Sequence, residues 1–154
     1  MAVSNEQAMN ALLRDLADLL THEPLGVDDV VARVGPVVRD PGAPMAIELG
    51  PTLPGIGAAR LARYPDSGEP YMLDLVLDRN ARLTVATLKA LFGEYDRALT
   101  DRLRPPELLF HLPAGTARWR VVLIAQLAPG AGSLDAAPVS VVAFRRDPIP
   151  AGAP

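Results

Sequence analysis

The sequence predicts an α+β protein, an antiparallel sheet of about five or six strands with two or three helices packed on one face. One observation is an internal echo: LGVDDVVARVG (25–35) and LTVATLKALFG (83–93) align without a gap and share Leu, Val, an aliphatic, Ala and Gly at corresponding positions. Each copy opens on a cap-like residue (Gly26, Thr84), runs about two helical turns, and stops at a glycine suited to the left-handed conformation of a helix end. Another is that strand-like sequence follows each copy. The clearest strand, 71–78, sets Tyr71, Leu73, Leu75 and Leu77 on one face and Met72, Asp74, Val76 and Asp78 on the other, the alternation of a sheet covered on one side.

The elements follow in order. Residues 5–21 read as an amphipathic helix, because Met9, Leu12, Leu13, Leu16, Leu19 and Leu20 recur at helical spacing behind Ser4 or Asn5 as cap, and Pro24 ends it. Proline and glycine break up 36–68, leaving short strands at 45–49 and 58–64 joined by PTLPGIG (51–57) as a connecting loop. The helix over 83–93 is followed by a polar stretch, 94–104, and Pro105-Pro106 forces extended backbone after it. Strands are expected at 108–112, 118–127 and 139–145, with a hairpin connection at 112–116 and a looser one at 128–138. The reading is one α+β domain over 1–147, or two fused half-repeats of about 5–66 and 67–147, with a disordered tail at 148–154.

Composition bounds the function. With no cysteine there is no thiol nucleophile, disulfide framework or thiolate metal site. The first twenty residues carry Asp15 and Asp18 where an export signal needs an apolar run, and the longest uncharged stretch, 121–134, is too short to span a bilayer, so a cytoplasmic protein is expected. Fourteen arginines against one lysine suit a GC-rich bacterial coding bias. Up to Asp78 five arginines face twelve acids (net −7), and after it ten bases face six acids (net +4), giving the overall −3. Such asymmetry fits two mutually attractive halves, a partner surface of one sign, or scattered solvated charge. The helix pair at the start offers Arg33 on an otherwise acidic and apolar second helix, the wrong surface for phosphates, so nucleic acid is excluded as a partner.

Little in the chain points to catalysis. His22 stands at the end of the first helix, where it would satisfy free carbonyls, and His111 faces away from Phe110 and Leu112; two isolated histidines make no ligand set. Gly55-Ile56-Gly57 lacks the third glycine of a dinucleotide loop. Asp74 and Asp78 share a strand face but lie some 13 Å apart at strand rise, too far for paired-carboxylate chemistry, and are expected to pair with Arg118, Arg120 or Arg145. Trp119 between two arginines either stacks on a ligand or faces the core while the arginines stay wet. No cofactor or metal is expected, and the reading leans away from an enzyme.

The short helix pattern Thr84, Leu88, Phe92, Gly93, matched by Gly26, Val30, Val34, Gly35 in the first copy, resembles the duplicated helix–strand module of β-lactamase-inhibitor proteins and the small outer-membrane assembly lipoproteins. What the resemblance implies is a concave sheet that binds another protein without chemistry. The strands independently suggest an uncovered face carrying Met72, Asp74, Val76, Arg118, Arg120, Val122, Ile124, Val142 and Phe144, an apolar patch in a charged rim. The expectation is therefore a non-enzymatic protein-binding domain of inhibitor, immunity or adaptor type, whose partner is another protein or a second copy. The alternatives are a ligand-binding or enzymatic domain with a pocket near Trp119 and Tyr71, and a structural subunit of a homo-oligomer.

Overall fold

The computed structural model describes residues 4–98, 106–113, 118–129 and 133–149. Three helices, α1 (Asn5–Leu19), α2 (Val27–Val34) and α3 (Val85–Phe92), accompany eight strands: β1 (Val37–Arg39), β2 (Ile47–Leu49), β3 (Ile56–Arg63), β4 (Pro70–Leu77), β5 (Asp96–Arg97), β6 (Glu107–His111), β7 (Trp119–Leu127) and β8 (Val139–Pro148). All neighbouring strands are antiparallel in one sheet of order β1-β2-β3-β4-β8-β7-β6-β5. Thus α2 leads into one four-strand meander and α3 into another. The two meet at their last strands.

The helices start where the sequence says they should. Ser4 accepts from the Gln7 amide while Gln7 accepts from that of Ser4, capping α1. Asp29 accepts from the Gly26 amide, and Thr84 from that of Thr87. Free donors in the first turn of α3 are taken by distant backbone: Val85 N–H donates to Ala137 O and Ala86 N–H to Asp135 O. On the inner face of α1, Met9, Leu13 and Leu16 are fully buried. Each contributes roughly 1.5–3 kcal/mol relative to exposure. They pack in one core with Leu61 of β3, Leu73 and Leu75 of β4, Val142 and Phe144 of β8, and Leu123 of β7.

Eight strands rather than five or six arise because both sheet edges were missed. β1 has three residues and β5 two, all exposed, so neither carries a buried periodicity. β3 begins at Ile56, taking in the end of the expected 51–57 loop, and β8 runs on to Pro148, where a tail was expected. Parts of the expected features at 94–104, 112–116, 128–138 and 148–154 lie outside the described residues.

The glycines that end α2 and α3 have positive φ but extended ψ (Gly35 153°/172°, Gly93 90°/−155°), so neither is the left-handed cap expected. Their surroundings differ. A Cβ on Gly35 would lie 1.9 Å from Gly50 O, whereas one on Gly93 meets nothing within 4 Å. Gly93→Ala should therefore cost only its backbone strain, about 1–3 kcal/mol. Gly35→Ala should cost more, because the backbone before β3 must move; urea denaturation of both variants checks the order, and equal losses would refute it.

Candidate interaction face

The buried residues of all three helices join one core with one side of the sheet, so among the described residues the other side is open, and its registers line the side chains into rows. The middle row reads Glu48, Arg60, Asp74, Ala143, Ile124 and Leu109, ending at Asp96. A second row carries Ala62, Met72, Arg145, Val122 and His111, and a third Ala58, Val76, Val141, Gln126 and Glu107. The centre is apolar. Val122 and Ala143 are almost completely covered by their neighbours, Met72, Ile124, Leu109 and Val141 are half-buried, and Val76 is 42% exposed.

The face is ringed by charge. Arg145 donates to Asp147 at 2.9 Å, His111 lies 3.1 Å from Asp96, and Arg120 stands in register with Asp147. Asp74 is different. Its neighbours across the strands are Arg60 and Ala143, not the arginines expected: β7, which Arg118 precedes and which carries Arg120, is not adjacent to β4, and the β4–β8 register sets Arg145 opposite Met72. Burial pushes its carboxyl above the ordinary 3.8, against the weaker pull of Arg60. Asp78 turns away and accepts from the Asn80 amide.

Of the residues expected on this face, Met72, Asp74, Val76, Arg120, Val122 and Ile124 occupy it. Phe144 does not. It is opposite Leu73 and Leu123, fully buried in the core beside Val142. The expected place of Val142 and Phe144 on the open face is thus overturned, since both lie on the helix side of β8. Arg118, just before β7, reaches instead to Glu23 beyond α1, at 2.9 Å.

The residue that sequence reasoning missed is Arg146. It is completely buried on the helix side of β8, its guanidinium 3.6 Å from the Trp119 ring centroid. It donates to Leu20 O (2.8 Å) and His22 O (2.7 Å), closing the end of α1. That is the work expected of His22, whose ring lies 3.4 Å from Asp18 instead. Nη1 is 3.1 Å from Glu69 Oε1 but poorly aligned with it, so this is a charge contact more than a hydrogen bond. Nearby, Tyr64 stacks on Tyr71 at 4.7 Å, and burial, followed by the Asp147 charge, raises the Tyr64 hydroxyl.

Clefts open elsewhere. One lies between the start of α1 and the turn before α3 (Glu6, Asn10, Arg82, Thr87), and another between α1 and α3 (Arg14, Thr21, Phe92, Leu112). Among the described residues no group of three or more His, Asp or Glu is placed to hold a metal, and no helix is long and apolar enough to cross a membrane. The chain matches no family model, no curated protein and no solved structure. Its functional reading rests on its own geometry.

Two outcomes are expected. Arg146→Met should cost on the order of 3–5 kcal/mol in urea denaturation, since it strands two helix-end carbonyls and Glu69; a loss under about 1 kcal/mol would refute the anchor. For Asp74 the folded carboxyl titrates above the unfolded value of 3.8, so the folded state holds the proton longer. Its penalty appears as pH rises through that window and is complete above it. Asp74→Asn should therefore raise the melting temperature at about pH 7, with the gap closing near pH 3. A variant less stable than wild type at neutral pH would contradict this.

Proposed function

We propose that the chain is a non-enzymatic protein-binding domain, of inhibitor, immunity or adaptor type, acting through the open face of its sheet. The observation that carries this reading is the apolar patch of Met72, Val76, Val141, Ile124 and Leu109, spread over three adjacent rows of the sheet, left uncovered by the helices and rimmed by charge. The mirrored strand order, with one helix leading each meander, supports duplication of a helix–strand unit, α2 with β1–β4 and α3 with β5–β8. The resemblance of the two short helix patterns to β-lactamase-inhibitor and assembly-lipoprotein modules would imply the same mode, binding by a sheet surface. The same patch favours a second reading, a structural subunit in which a copy of the chain covers it.

Paired substitutions separate surface from core. Ile124→Asp should stay folded, within about 1 kcal/mol of wild type, and lose association, while Phe144→Asp should fail to fold. Light scattering on purified protein and affinity capture from native lysate are the readouts. If Ile124→Asp keeps every partner and the same mass as wild type, the open face is not the binding surface.

A further inference from the structure

Some charges on the open face pair with one another, but Asp74, near its centre, does not. Arg145 donates to Asp147, with which Arg120 stands in register, and His111 lies against Asp96. Arg60 alone stands between two acids, opposite Glu48 on one side and Asp74 on the other. Among the described residues Asp74 has no ion pair or hydrogen bond to its side chain. It is half-buried, flanked along its strand by Met72 and Val76 and across it by Ala143. A carboxylate pays desolvation without an ion pair to offset it, the kind of local inconsistency expected where a site is shaped for something else.

Resting on the face proposed above, we infer that its occupant is a partner protein that sets one basic side chain against Asp74, within apolar contacts to Met72, Val76 and Ile124. The base is taken from outside the fold because no basic side chain of this face forms an ion pair with Asp74 among the described residues: Arg145 is held by Asp147, and Arg60 stands in register with Glu48 as well as with Asp74. Arg60 competes for Asp74, which makes the inference testable by sign. Removing it should strengthen the partner's hold, whereas loss of an ordinary supporting residue would weaken it.

The probe is a displayed library of random twelve-residue peptides panned on the folded full chain. Peptides that lose binding to Ile124→Asp and to Val76→Glu, the latter at an exposed position, should share an arginine or lysine. Replacing that residue by alanine should weaken binding about tenfold on wild type and less than twofold on Asp74→Asn. Binding to Arg60→Gln should tighten. Face-binding peptides with no common base, or with equal affinity for Asp74→Asn, would overturn the inference while leaving the face reading intact. Peptides indifferent to both face variants would overturn the two together. A homodimer in light scattering that Asp74→Asn dissolves would place the base in a second copy, and overturn the foreign partner.

Discussion

The pairing of β4 with β8 is the constraint on which the rest of the molecule depends. Each meander alone would leave a long apolar edge, and a strand edge with unpaired amides invites non-native pairing. Joining the two at their last strands hides both edges. It also places Leu73 opposite Phe144 and Leu75 opposite Val142 at the centre of the core. What is left at the margins is short and exposed, Val37–Arg39 on one side and Asp96–Arg97 on the other. One seam thus sets the layer under the helices, and on its reverse side it brings Met72, Asp74 and Val76 beside Val141, Ala143 and Arg145.

Arg146 shows how the helical layer is locked to that seam. A buried guanidinium is costly to desolvate, and it persists here because several partners share its charge: two carbonyls at the end of α1, the Glu69 carboxylate and the Trp119 ring. The first helix therefore depends on a strand more than a hundred residues away for its termination. On the opposite face the balance is reversed. Asp74 bears desolvation with only the weak pull of a shared arginine. Arg146 is buried and partnered within the fold, whereas Asp74 is half-buried and has no ion pair among the described residues.

Much of the architecture was legible in local chemistry. Caps and apolar periodicity marked α1, α2 and α3, and the alternation from Tyr71 to Asp78 placed Leu73 and Leu75 inside and Met72, Asp74 and Val76 outside. In β7 the same rule placed Leu123 in the core and Ile124 opposite it. β8 defeated it. Val141, Val142, Ala143 and Phe144 are apolar on both faces, so alternation has no phase, and slipping by one residue exchanges the faces. That slip put Phe144 on the surface and hid the inward course of Arg146.

Capping, helical spacing and strand alternation act over a few neighbouring residues, so the chain carries those instructions wherever its segments end up. The phase of β8, the eight-strand order, the burial of Arg146 and the isolation of Asp74 are of another kind. Each depends on which strands lie side by side, and therefore on Leu73 meeting Phe144 and on Arg60 meeting both Glu48 and Asp74. Such contacts join residues far apart in sequence, and only the assembled sheet decides them.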